Sequence, residues 1–321
     1  MFAAGNSAGA TAANYIEDVF STYLYTGNSS TQTITNNIDL SGKGGLFWAK
    51  CRSSSSTFNW LVDTVRGADN ILRSNTTDAQ VDNGAGSSFL STGYSIGSTS
   101  NSNYNGSGNT YASWTFRKQP KFFDVVTWTG NGNATQTINH NLGSTPGCII
   151  VKLTSGVNGW DVYHRSLGTS AYVQLNTTAA STTISNVWGT ITSTTFTATG
   201  TLGQNDPGAT YVAYLFAHDA GGFGLAGTDN VISCGSFTTD GSGAATVNLG
   251  YEPQFGIFKA TALTQNWVMQ DIMRGATAGP GGGAYLLPNS SAAEATFSSP
   301  YGYLGPTATG RSAEHTSELQ S

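Results

Sequence analysis

Charge is scarce in this chain of 321 residues: Lys, Arg, Asp and Glu make up 10% of it, 13 basic against 18 acidic side chains, for a net charge of −5. That balance excludes the basic stripe with which nucleic-acid binders displace phosphate counterions, so no nucleic acid is expected as a partner. Glu, Lys, Arg and Met, the strong helix formers, are thin, which makes helix a minor component. No apolar run approaches the roughly 20 residues needed to cross a bilayer, and no membrane insertion is expected. Met1 to Asn14 is small and polar, without the basic and apolar regions of a signal peptide. Cys51, Cys148 and Cys234 are odd in number and widely spaced, with no C-x-x-C pair and no neighbouring His. They read as free buried thiols, suited to synthesis in a reducing cytoplasm, and not as a zinc site or disulfide framework.

What is abundant is Gly, at 41 positions, together with Ser, Thr, Asn, Val, Ile and aromatics. Such a surface is solvated by hydroxyls and amides, and the β-branched and aromatic residues favour pleated, half-buried strands. The length allows two or three domains of comfortable core size.

The chain repeats itself. Val19, Tyr25-Thr26-Gly27-Asn28, Gln32-Thr33-Ile34 and Leu46 to Lys50 are echoed by Val125, Thr129-Gly130-Asn131, Gln136-Thr137-Ile138 and Cys148 to Lys152. A third series runs through Val231, Thr239-Asp240-Gly241, Val247-Asn248-Leu249 and Gly256 to Lys259. Val19, Val125 and Val231 recur at a spacing of 106 residues. Trp60, Trp160 and Trp267 follow the lysines by 10, 8 and 8 residues. An arginine follows each: Arg66 and Arg274 within Asp-x-x-Arg-Gly, with Asp63 and Asp271, and Arg165 after His164 in the second series. A strong strand closes the first two series, Tyr111 to Phe116 and Tyr211 to Phe216, and the third has none.

Apolar runs alternating with Gly/Asn/Ser/Thr clusters predict an all-β fold: tandem β-sandwich repeats of about 100 residues, jelly-roll or immunoglobulin-like, the third truncated. The Thr-Gly-Asn and Thr-Asp-Gly turns read as hairpins that tolerate positive φ. The expected divisions are 1–15, a flexible N-terminal segment; 16–121 and 122–222, complete repeats; 223–310, an incomplete repeat; and 311–321. That last stretch, Arg311 to Ser321, resembles a translated sequencing adapter, the mark of an assembled environmental fragment. Phe122-Phe123 and Phe223 follow the short links and are expected to pack at the junctions, giving a stiff rod.

Few residues invite chemistry. An Asp three residues before an Arg forms an ion pair that either braces a loop or meets a ligand; recurrence of Asp63/Arg66 and Asp271/Arg274 favours the brace. Trp60, Trp160 and Trp267 recur and read as core. Trp188 has no counterpart, which makes it the candidate for a surface aromatic that stacks on sugar rings. His140, His164 and His218 fall at non-equivalent places beside no repeated nucleophile or carboxylate, so no triad or metal cluster assembles. No catalytic residue, metal or cofactor is assigned.

Val19 to Asn28, Asp63 to Gly67, Tyr111 to Arg117, Phe122 to Val126 and Tyr211 to Asp219 resemble a repeat domain of unknown function in marine bacteriophage virion and tail-fibre-like proteins. The likeness covers about residues 16 to 305 and brings no catalytic or binding residues with it. It implies a virion appendage made in the host cytoplasm, self-associating as a homotrimer, joined to other virion proteins and touching the host envelope. The expected function is therefore a non-catalytic structural or adhesive component that meets bacterial surface glycans. The alternatives are a carbohydrate-binding repeat of a bacterial adhesin and a polysaccharide depolymerase.

Overall fold

The computed structural model describes residues 13–82, 84, 86–97, 104–276, 283–297, 303–307 and 310–314, the last two by backbone alone. Residues 1–12 and 315–321, most of the expected flexible segment and most of the expected adapter tail, lie outside the described residues. The fold is almost entirely β. Among the described residues helix is confined to one turn at Leu40–Lys43 and three 3-10 turns at Ile16–Asp18, Gly200–Leu202 and Ile272–Arg274.

The first segment contributes β1 (Phe20–Thr26), β2 (Gln32–Thr35), β3 (Gly45–Cys51), β4 (Asn59–Asp63), β5 (Asn70–Arg73), β6 (Val81–Asp82), β7 (Ser88–Leu90), β8 (Gly93–Ile96) and β9 (Thr110–Arg117). The second contributes β10 (Phe123–Thr129), β11 (Thr135–Asn139), β12 (Cys148–Leu153), β13 (Trp160–His164), β14 (Ala171–Gln174), β15 (Thr182–Thr183), β16 (Thr195–Thr199) and β17 (Thr210–Phe216). Two six-stranded antiparallel sheets result, ordered β1-β9-β3-β4-β5-β6 and β10-β17-β12-β13-β14-β15. The order is the same: the last long strand of each segment inserts between the first strand and the lysine-bearing strand. A smaller sheet, β2-β8-β7 or β11-β16, accompanies each.

Period-two alternation divides each large sheet between two cores. Phe47, Ala49, Trp60, Val62 and Tyr111 join Ile34 and Tyr94 of the small sheet in a core local to the first segment. Ile149, Val151, Tyr211, Ala213 and Leu215 do the same with Ile138 and Phe196 in the second. The opposite faces, with Trp48, Trp114, Ile150, Trp160 and Tyr214, meet in a central core shared by all three segments. Phe116 is its hub, with ring centroids 5.0 Å from Phe20, 5.6 Å from Phe123, 5.5 Å from Phe216 and 6.0 Å from Phe255. Phe122 and Phe223 pack 6.1 Å apart beside it, so the junction phenylalanines do meet. They do so around one centre, however, and the first segment touches the third directly; the rod expected from the short links is replaced by a closed arrangement.

The third segment contributes β18 (Ala245–Asn248), β19 (Phe255–Phe258), β20 (Val268–Asp271), β21 (Ala284–Tyr285), β22 (Ala295–Thr296), β23 (Tyr303–Thr307) and β24 (Gly310–Glu314). Its β18-β24-β23 sheet follows the order of β2-β8-β7, and β19-β20 that of β3-β4. Among the described residues nothing corresponds to β9 or β17, and residues 231–240, which precede β18, are irregular.

Strand register corrects one reading of the recurring pattern, and backbone approach corrects another. Phe20 pairs with Phe116 and Phe123 with Phe216, which makes Phe20 the counterpart of Phe123. Two residues on, Thr22 faces Trp114 and Val125 faces Tyr214, so Thr22, and not Val19, stands where Val125 does. The 106-residue spacing of valines is therefore not the structural one. The glycines of Thr26-Gly27-Asn28 and Thr129-Gly130-Asn131 are also not needed for positive φ. A Cβ at Gly27 would lie 2.2 Å from the Gly106 carbonyl oxygen, and one at Gly130 2.1 Å from that of Asp206. Close approach of the loop before the closing strand is what requires glycine there.

Candidate functional site

The recurrent polar residues converge where segments meet. Lys50, Lys152 and Lys259 stand at or beside the ends of β3, β12 and β19, and the first two are fully buried. Each ammonium donates to a carbonyl of its own hairpin and to one from a neighbour. Lys50 Nζ reaches Thr57 O at 3.1 Å and Ser290 O of the third segment at 3.3 Å. Lys152 Nζ reaches Asn158 O at 2.9 Å and Thr77 O of the first at 3.0 Å. Lys259 Nζ reaches Gln265 O at 2.9 Å and Thr178 O of the second at 3.1 Å. The bonds run first to third, second to first and third to second, a closed cycle. Burial lowers all three lysines to about 8, because the charged form loses hydration that carbonyls only partly replace.

Opposite the lysines the register places Asn59, Trp160 and, one pair beyond Phe258 and Val268, Trp267. Their side chains extend the same cycle: Asn59 Nδ2 donates to Leu287 O at 3.3 Å, Trp160 Nε1 to Arg73 O at 3.1 Å and Trp267 Nε1 to Gln174 O at 2.9 Å. Their backbone N–H groups donate to Asn75, Asn176 and Asn289 Oδ1 at 2.9, 2.9 and 3.0 Å. Asn59, and not Trp60, is thus the counterpart of the two tryptophans. Trp60 lies one residue further on, faces the local core and packs 5.5 Å from Tyr104. A one-residue slip in a strand moves a side chain to the other face, which is why matching by residue type misplaced it.

The Asp–Arg pairs grip a neighbour's closing strand. Asp63 Oδ2 accepts from Arg66 Nε at 2.6 Å and from the Tyr214 hydroxyl at 2.8 Å, while Oδ1 accepts from the Arg66 N–H at 3.0 Å. Asp271 Oδ2 accepts from Arg274 Nε at 2.7 Å and from Trp114 Nε1 at 2.9 Å, and Oδ1 from the Arg274 N–H at 2.9 Å. Trp114 on β9 and Tyr214 on β17 are counterparts, paired respectively with Trp48 and Ile150. Both carboxylates are buried, so the ring donors replace water that the ion pairs have lost.

Arg165 does not belong to this set. His164 pairs with Cys148 as Asp63 does with Leu46, which puts Leu167 at the arginine position and leaves Arg165 exposed. His164 Nδ1 accepts from the Ser166 N–H at 3.2 Å, closing the turn as the aspartates do. Burial lowers its pKa to about 4. Trp188 is likewise not a surface aromatic. It is 2% exposed, donates from Nε1 to Ala171 O at 3.1 Å and meets Tyr163 edge-on at 5.8 Å.

His140 and His218 also accept backbone N–H groups at Nδ1, from Leu142 at 3.2 Å and Cys234 at 3.1 Å. Among the described residues no three His, Cys, Asp or Glu side chains converge to hold a metal ion. Among them, too, no helix is long and apolar enough to cross a membrane. What the recurrent side chains do chemically is hydrogen-bond across segment boundaries.

These features define an all-β protein of antiparallel sheets joined by buried polar cross-links around a common core. A family model described as Domain of unknown function (DUF7483) matches residues 16–304, and the chain belongs to that family. No curated protein and no solved structure matches the chain.

Proposed function

We propose that the chain is a non-catalytic structural and adhesive component of a bacteriophage virion, tail-fibre-like, built from tandem β-sandwich repeats and able to hold bacterial surface glycans. The observation that carries this reading is that the recurrent ionisable groups, Lys50, Lys152, Asp63 beside Arg66 and Asp271 beside Arg274, accept or donate hydrogen bonds across the boundaries between segments. Recurrence there serves architecture, and catalysis uses one assembled constellation. Self-association as a trimer and contact with other virion proteins belong to the same proposal. With Trp188 buried, the exposed Ser, Thr and Asn of the loops take over the role of glycan contacts.

The test is binding of the purified chain to envelope fractions from candidate marine bacteria, with immunogold labelling of virions from a native source. Saturable, sugar-competed binding and labelled particles are expected. Wall localisation without particles would replace the phage reading with a bacterial adhesin, and reducing ends released from envelope polysaccharide would replace it with a depolymerase.

A further inference from the structure

Basic side chains are few, and most have partners. Arg52 pairs with Glu294, Arg66 with Asp63, Arg73 with Asp78, Lys118 with Asp124 and Arg274 with Asp271. Arg117 donates to Gln119, and the three buried lysines donate to carbonyls. Among the residues whose side chains are described, Lys43, Lys121 and Arg165 are left with no side-chain hydrogen bond or ion pair. Lys43 is exposed at the end of the turn Leu40–Lys43. Lys121 and Arg165 line one cleft of about 490 Å³, together with Ser144, Pro146, Tyr163 and His218.

The walls of this cleft hold further donors. Ser144 Oγ is buried without a hydrogen-bond partner, an orphan donor of the kind that a ligand satisfies. His218 Nδ1 accepts from the Cys234 N–H at 3.1 Å, which fixes the tautomer and leaves Nε2–H to donate. Asp219 lies 3.4 Å from the same Nδ1, but that nitrogen already has its donor, and Asp219 accepts from Ser233 Oγ. Lys121 holds a left-handed backbone at φ 67°, a conformation lysine rarely adopts. Gly222 lies against its side chain: a Cβ there would fall 2.8 Å from Lys121 Cδ.

An ammonium, a guanidinium, a hydroxyl and an imidazole N–H are all donors, while Pro146 and Tyr163 supply apolar surface. We propose that the cleft binds the anionic substituent, carboxylate or sulfate ester, of one sugar of an acidic polysaccharide, a site that rests on the adhesive reading above. Its volume falls in the range of small-ligand clefts. A chain of net charge −5 repels polyanions as a whole, so attraction is local to these two cations and screened by salt.

The intact chain is titrated calorimetrically at low ionic strength with oligogalacturonate, a sulfated carrageenan oligosaccharide and a neutral maltooligosaccharide. Binding of at least one anionic probe and none of the neutral one is expected, the two anionic arms telling carboxylate from sulfate. Arg165→Gln and Lys121→Gln should each weaken it about tenfold at an unchanged melting temperature, and Lys43→Gln should not. An equal loss in Lys43→Gln, or no binding of either anionic probe, overturns the site. If envelope fractions still bind and Arg165→Gln binds them equally, the adhesive reading stands and this cleft falls. Anionic probes bound through Arg165 with no envelope binding keep the cleft and remove the adhesive role.

Discussion

In the first two segments β9 and β17 lie between the opening strand and the lysine-bearing strand, and β3 is buried along its whole length. In the third, residues 231–240 are irregular and every residue of β19 is half-exposed. The strand that differs does two jobs at once. It hydrogen-bonds a strand on either side, and its central aromatic, Trp114 or Tyr214, completes the buried Asp–Arg pair of another segment. A change in one segment is therefore felt in the next. The second segment, whose loop has no third closing strand to grip among the described residues, carries His164 and Leu167 in place of the Asp and Arg.

The two loops should differ most between Asp63→Ala and His164→Ala. The first leaves the Arg66 guanidinium buried without its carboxylate and should cost about 3–5 kcal/mol in urea denaturation. The second removes a turn cap and should cost about 1 kcal/mol. Equal losses would mean that the two loops are not doing different work. Trp114→Phe removes the donor to Asp271 and part of the buried ring that lies beneath the Arg274 guanidinium, for an expected loss of about 1–3 kcal/mol. Its distinguishing sign is faster amide exchange in β20 of the third segment, far along the chain from the substitution.

The unmutated chain should show the difference between segments in amide exchange. Residues 231–240 and β19 should exchange at least about tenfold faster than β3 and β12, since unpaired strand edges open locally. Equal protection throughout would show that the third segment needs no closing strand. The smallest expected effect is with pH. The lysines titrate near 8 when folded and near 10.5 when unfolded, so above about pH 8 the unfolded chain holds more protons. Stability should therefore rise between about pH 8 and 9 and be flat just below, and Lys152→Met should reduce the rise.

Much of this was legible from residue order alone. The all-β class and the strand-forming runs that close the first two segments follow from patterns that local chemistry imposes, as at Tyr111 to Phe116 and Tyr211 to Phe216. The closed cycle was not, because Ser290, Thr77 and Thr178 offer only backbone carbonyls to the lysines and leave no mark in the sequence. Trp60 and Arg165 were misassigned for one reason: identity was matched where register decides. A better signal was present. Asn75 and Asn176 each follow their partner by 16 residues, and counting back from them gives Asn59 and Trp160. Trp188 misled because an aromatic without a counterpart in the first segment can still fill a core that has different side chains around it.

The cycle of lysine bonds has a sense of rotation. Each lysine donates into a loop of the next segment in the same direction round the cycle, so the two faces of the ring of segments are chemically unlike. Copies stacked head to tail would meet through two different surfaces, and a filament so formed would carry an arrow, with one end competent to receive a partner that the other end refuses.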